Sequence, residues 1–409
     1  MQLVSNLVIL PILLIALGLV YPIANSIGIE AKPHRFSSID GLRGFLAFFV
    51  FIHHASIWFY LTHFHRWGQV PSHLFNQFGS TSVAFFFMIT AFLFFSKLLE
   101  AREGNMDWLK LYVSRVFRIM PLYLFVMSCL FLLVAFVSGF VLKEPLSNLF
   151  WHMGQWALFM EPDIDRLRGT KYLISGVQWS LAFEWLFYCS LAIIGALFFR
   201  IKTSISAMLM ANIGLVVFVV VIDQYYPFQV WARISPFLAG VAAAFLARNR
   251  RVRGFAANIW VTPVLVVLLY IAFSLYTTIF SPVPYFCACL VFIAIACGNS
   301  FFFILTFPVS RLLGQISYGI YLLHGLLLYV TFHFVIGPRK AEKLSPLSYW
   351  NIIAGVCAIL ILLTCLTYYF IERPFLNSVN GVTNWTRSLL TSRTRFNQTK
   401  KTEKDLGST

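Results

Sequence analysis

Apolar runs separated by short polar connections recur along almost the whole chain, and many are about 20 residues long, enough for a helix to cross a hydrocarbon core of roughly 30 Å. In lipid a segment must satisfy its backbone hydrogen bonds internally, which selects helix. The pattern therefore predicts an all-α, polytopic transmembrane bundle of about 11 spans. They cover 3–23, 41–61, 81–98, 119–141, 177–199, 204–222, 231–248, 258–279, 285–305, 315–336 and 350–371, ten forming a core and the first an extra amino-terminal helix. A shorter apolar run at 149–160 cannot span, and its Trp151 and Trp156 suggest a helix lying in the outer interface.

Charge fixes an orientation for this pattern. Lys and Arg accumulate on the cytoplasmic side of membrane proteins. Placing 24–43, 97–118, 200–203, 248–257, 306–314 and the tail inside collects 22 of the 31 basic residues. The amino terminus is then external and the carboxyl terminus cytoplasmic. The first positive residue, Lys32, follows the first apolar run, so that run is expected to be a retained helix rather than a signal peptide. Composition agrees with a membrane protein, with 59% hydrophobic and only 11% charged residues. The net charge of +16 sits in loops and tail facing anionic lipid, so membrane lipids rather than nucleic acid are the expected partner. The seven cysteines all fall inside spans and lack zinc or redox spacing.

In so apolar a chain, an ionisable side chain within a span is a functional candidate because its insertion costs about 2.5–3.5 kcal/mol. Glu184 is the one carboxylate well inside a span, in W-S-L-A-F-E-W-L-F-Y, with Ser180 and Tyr188 on its face. The alternative is a neutral carboxylic acid linking helices. His53 and His54 lie in the second span, and Arg43 and His54, eleven residues apart, share a helix face about 16 Å apart along the axis. Glu184, on a helix running the other way, is expected level with His54, as orienter to its base. Packing is the alternative for the histidine. Asp40 reads as an N-cap or first-turn acid, and Gly41 and Gly44 as close-packing positions. Arg115 and Arg118 share a face at the membrane edge and suit phosphate, or serve only as topological anchors. Ser317, Tyr321 and His324 line one side of their span, at a donor entrance or as helix cross-links. His63, His65 and His73 lack acidic company, and no metal is expected.

Read together, these strings resemble the acyltransferase-3 family of integral membrane acyltransferases, which includes O-antigen and exopolysaccharide O-acetylases. The shared motifs are D-G-L-R-G with Arg43, ten residues and His54; F-F-F-M-I-T-A-F-L-F, with Thr90 and Ala91 where Ser and Gly are usual; the Arg115 and Arg118 pair; W-S-L-A-F-E-W-L-F-Y; S-Y-G-I-Y-L-L-H; and I-E-R-P-F. They follow in order across 36–376, leaving 1–35 as the extra helix and 377–409 as a basic cytoplasmic tail expected to be disordered. The resemblance implies acetyl-CoA or another acyl-CoA as donor and a surface glycan or its lipid-linked precursor as acceptor, in a bacterial inner membrane. It implies that His54 is the essential histidine, with Arg43 its partner and Arg115 and Arg118 the arginine pair. We expect His54 and Glu184 to be catalytic, and Arg43, Arg115, Arg118, Ser317 and Tyr318 to bind the donor. Asp40, Tyr188, His324, Glu372 and Arg373 are expected in support. A proton-coupled secondary transporter or a lipid or glycan translocator is the competing class, since both use buried His and Glu.

Overall fold

The computed structural model describes residues 6–30, 35–101, 106–200 and 229–406. Among them the long elements are all helices: α1 (Ile9–Ser26), α2 (Ser37–Phe64), α3 (His73–Ala101), α4 (Trp108–Val137), α5 (Leu146–Ala157), α6 (Trp179–Arg200), α7 (Gln229–Leu246), α8 (Arg250–Ala256), α9 (Thr262–Leu275), α10 (Pro282–Ala296), α11 (Pro308–Gln315), α12 (Ser317–Val330), α13 (Pro346–Thr367) and α14 (Arg373–Leu406). Among the described residues six helical stretches are long and apolar enough to cross a membrane, and the pair Arg250–Ala256 and Ile259–Leu275, bent by 61°, makes up to a seventh. That is fewer than the eleven expected. The 204–222 span lies outside the described residues, α6 matches 177–199, α7 matches 231–248 shifted by two residues, and 285–305 emerges as the shorter apolar helix α10.

The shortening of α10 has a local cause. Gly298 and then Phe301, Phe302 and Phe303 take positive φ, turning the chain left-handed where a helix would continue. Buried Asn299 holds this turn, donating to the carbonyls of Ala256 (3.1 Å) and Asn258 (3.3 Å) and accepting from the Phe301 amide at 3.0 Å.

Burial separates centre from rim. The apolar windows of α2 and α3 are 72% and 78% buried, against 28% for the stretch containing α1 and 39% for α4. The start of α2 packs through Leu42 and Leu46 with α3, α7 and α10, and its second half through Phe51 and Trp58 with α4, α12 and α13. Glycines permit this crowding. A side chain at Gly44 would stand 2.6 Å from the Gly314 amide, and one at Gly314 would meet the Asp40 carbonyl. The backbones of α2 and α11 therefore cross in direct contact, and the close-packing reading of Gly44 holds. Asp40 itself lies in the first turn of α2, whose N-cap is Phe36, so it is not the capping residue.

Two stretches depart from the expected picture in ways that shape the interior. Residues 161–178 dip into the bundle: Ile174 and Gln178 are fully buried, the Ile174 backbone presses against Gly325 of α12, and Trp58 Nε1 donates to Ser175 Oγ at 3.3 Å. In α5, Trp151 is exposed as an interface residue should be, but Trp156 is buried, its Nε1 donating to the Pro162 carbonyl at 2.9 Å. The second departure is the tail, which is helical through Leu406 rather than unstructured. Contacts invisible in composition anchor its beginning: Phe375 packs edge-on against Phe117 of α4 with centroids 5.7 Å apart, and Arg387 hydrogen-bonds Asp107. The extra helix α1 lies against α11 and α13, with Ile12, Ala16, Val20 and Ala24 buried.

Candidate functional site

Two pockets lie one above the other along α2. Arg43, nearly two turns into that helix, reaches the first, and His54, about three turns further on, reaches the second. The antiparallel α3 and α6 run the opposite way between them. Ser80 and Trp179 line the second pocket, and Thr90, Glu184 and Tyr188 line the first.

The first pocket, about 100 Å³, gathers Arg43, Arg115 and Arg118 with Glu184, Tyr188, Ser317 and Tyr318. The expected donor residues are thus brought together from the starts of α2, α4 and α12. Arg115 lies over the Phe94 ring at 4.9 Å, and among the described residues its buried Nε has no hydrogen-bond partner. Arg118 Nη1 pairs with Glu372 at 3.1 Å. Glu372 is only 1% exposed, carried inward by the π-helical turn Tyr368–Glu372 that joins α13 to α14. Tyr188 donates to Glu184 from the next turn of α6. Ser317 and Tyr318 spend their hydroxyls on the carbonyls of Gly314 (2.7 Å) and Ile119 (2.9 Å), so both fix helices as well as lining the pocket. An arginine set with an unsatisfied buried donor suits a phosphate or another anion.

The second pocket is larger, about 750 Å³, and carries both histidines. Its walls include the aromatic rings of Trp67, Tyr172 and Trp179 and the polar groups of Ser80, Ser175 and Arg233. His54 Nδ1 lies 3.1 Å from the Val50 carbonyl and 3.1 Å from His324 Nε2, with Trp67 stacked beyond it at 6.4 Å between centroids. His324 is fully buried, and its Nδ1 meets the Ile320 carbonyl at 2.9 Å. His53 also lines this pocket, although helix geometry pointed it elsewhere. Its Nδ1 meets the Phe75 carbonyl at 2.7 Å and its ring edge abuts Gly79, so it also joins α2 to α3.

The expected pairing of His54 with Glu184 is not what the fold provides. Glu184 lines the arginine pocket and bonds Tyr188, while the ring partner of His54 is His324. Helix α6 starts at Trp179 in the wall of the His54 pocket, so Glu184, more than a turn further along, falls in the Arg43 pocket. Arg373 is also apart from the site: its Nη1 donates to the Gly28 carbonyl at 3.0 Å, beside α1. Among the external histidines, His63 bonds the Phe59 and Leu344 carbonyls and His73 meets Thr277, while His65, expected to lack acidic company, lies 3.9 Å from Glu342.

Tyr321 connects the two pockets. It lines both, as does Val83, and its hydroxyl donates to the Val177 carbonyl at 2.9 Å while Ser180 lies 2.7 Å away. Arg233, Trp67, Ser80 and Ser175 were not singled out by the sequence. Arg233 carried a usable signal, being a cation just inside an expected span; it stacks over Trp179 at 4.5 Å. The others became visible only once distant segments met.

No curated protein and no solved structure matches the chain. A family model described as an acyltransferase domain matches residues 36–372, from just before α2 to the π-helical turn that delivers Glu372. The match thus spans both pockets and every helix that lines them, and the chain belongs to the acyltransferase-3 family of membrane acyltransferases.

Proposed function

We propose that the protein transfers an acyl group, acetyl in the simplest case, from cytoplasmic acyl-CoA to a hydroxyl of an extracytoplasmic or lipid-linked glycan in a bacterial inner membrane. The observation that carries this reading is the pair of unlike pockets meeting at Tyr321: arginines on one side, a histidine among aromatic rings on the other. Phosphate groups of the donor bind at Arg43, Arg115 and Arg118, where charge-assisted hydrogen bonds in a dry site are strong. At about 100 Å³ the first pocket holds a phosphate-sized group, leaving the nucleotide toward the membrane edge while the pantetheine arm passes Tyr321. The second pocket lies in the size range of ligand sites, and its indole and phenol faces can pack against sugar rings.

The chemistry then needs one base. His54 takes the proton of the acceptor hydroxyl on Nε2 as the oxygen attacks the thioester carbonyl. The new C–O bond replaces the C–S bond, and the departing thiolate receives the proton from His54. No net charge is left in the bundle. The orientation that places 22 of the 31 basic residues inside puts the arginine pocket on the cytoplasmic side, where coenzyme A is found. A transport reading offers no role for a family-wide acyltransferase match, so the transferase is preferred.

Purified protein in detergent should release free coenzyme A from acetyl-CoA when acceptor glycan is present, and the glycan should gain one acyl group by mass spectrometry. Acceptor-independent thioester hydrolysis with no acyl gain on any glycan would remove the transferase step as written.

A further inference from the structure

Every hydrogen bond around the His54 and His324 rings can be assigned a direction. A backbone carbonyl only accepts, so His324 Nδ1, 2.9 Å from the Ile320 carbonyl, must carry the proton. In a neutral ring that leaves a lone pair on His324 Nε2. The facing atom, His54 Nδ1, must then be the donor, and it also lies 3.1 Å from the Val50 carbonyl, which again accepts only. The opposite assignment would point lone pairs at two carbonyl oxygens in the interior, where unmade polar contacts are costly. One proton arrangement therefore satisfies all three contacts.

We propose that His324 is a positioning residue that fixes the proton of His54 on Nδ1, so that Nε2 is the basic atom presented to the outer pocket. The proposal rests on reading His54 as the base. Among the described residues no carboxylate bonds either ring, and Glu184 is engaged by Tyr188 in the other pocket. The role that an acidic group fills in other base-orienter pairs falls here to a neutral imidazole, buried at 0% exposure and tied to its own helix one turn back. When His54 takes a proton on Nε2, both ring nitrogens become donors. Its Nδ1–H keeps His324 Nε2 and the Val50 carbonyl as acceptors, so protonation demands no rearrangement of the ring.

The test compares His324→Leu, which removes the acceptor, with His324→Gln, whose Oε1 can reach the place of Nε2 and accept. His324→Leu should lower kcat by about 10- to 100-fold while the KM for acetyl-CoA stays within about twofold, and His324→Gln should recover most of the loss. In isotope-labelled protein in nanodiscs, imidazole signals assigned to His54 by their disappearance in His54→Ala should report the Nδ1–H tautomer in the parent and a mixture in His324→Leu. Equal activity of the Leu and Gln variants, or an Nε2–H tautomer in the parent, overturns the assignment. Retained transfer in His54→Ala would instead discard His54 as the base, a separate failure, because the tautomer signals still decide whether His324 orders the ring.

Discussion

His53 and His54 are neighbours in sequence with different surroundings, and the difference can be tested one residue at a time. His54→Ala removes the ring held by His324 and should cost at least about 10²-fold in acyl transfer. His53→Ala removes a ring wedged between Gly79 and the Phe75 carbonyl, and should cost packing more than chemistry. Glycan acylation measured at equal membrane abundance separates them; comparable losses, or a greater loss from His53→Ala, would mean that the base is misassigned. Gly79→Ala offers a structural control, because a methyl there would lie 2.5 Å from His53 Cδ2 and should destabilise by about 1–3 kcal/mol. At this scale the sequence was informative about which residues matter and less about their partners. Arg43, Arg115 and Arg118 converge as their positions suggested, because α2 and α4 are two spans apart in an alternating bundle and so begin on the same side. Tyr188, which bonds Glu184, already shared its helix face in the sequence, whereas the partner of His54 was hidden, because hydropathy does not tell which distant helix packs against which.

Between elements, the pair joining α4 to the turn after α13 combines two effects that mutations can pull apart. Arg118 lines the arginine pocket and also neutralises buried Glu372, whereas Arg115 has no carboxylate partner among the described residues. Arg115→Ala should therefore raise the apparent KM for acetyl-CoA with little effect on folded yield. Arg118→Ala should do both, since orphaning one member of a buried pair costs about 3–5 kcal/mol. Arg118→Ala combined with Glu372→Gln should recover thermal stability without recovering donor affinity. Stability lost equally in both single arginine variants would show that the ion pair is not what distinguishes them. A second inter-element contact responds to pH. Arg387 of α14 hydrogen-bonds Asp107, the N-cap of α4, and with the Lys110 amide holds that carboxyl below the usual carboxylate range. A depressed carboxylate contributes above its unfolded pKa, and the contribution fades as pH falls through the folded value. The docking of α14 should accordingly hold at neutral pH and loosen below about pH 4. Limited proteolysis within 387–406 should quicken there in the parent but show no such acid step in Asp107→Asn. The docking of α14 was not legible beforehand, because a polar, basic tail has the composition of a disordered one and its anchors, Phe117 and Asp107, lie more than 250 residues upstream.

Across the whole molecule, hydropathy conveyed the class and most of the helices, and less well where each begins and ends. The central α2 and α3 outrun their expected bounds at 28 and 29 residues, and in α3 the polar Gln77 stays within the helix by donating to the Ala272 and Tyr276 carbonyls. Helix α10 falls short of 285–305 because the chain turns left-handed from Gly298. The distinction between core and rim predicts what α1 does. It lies before the family match, which begins at residue 36, and none of its residues lines either pocket. Its buried face of Ile12, Ala16, Val20 and Ala24 covers part of α13, and Cys357 of α13 lies 3.8 Å from the Ile12 carbonyl. Removing residues 1–30 strips that cover and the Gly28 carbonyl that Arg373 binds, but touches no pocket wall. In a bilayer the exposed face of α13 is apolar and lipid replaces the lost contacts, so the penalty should be small there and larger in detergent. The truncated protein should thus melt earlier in detergent while turning over acetyl-CoA at close to the parent rate per folded molecule in nanodiscs. Loss of turnover in truncated protein that remains folded in nanodiscs would show that α1 belongs to the catalytic unit rather than to its rim.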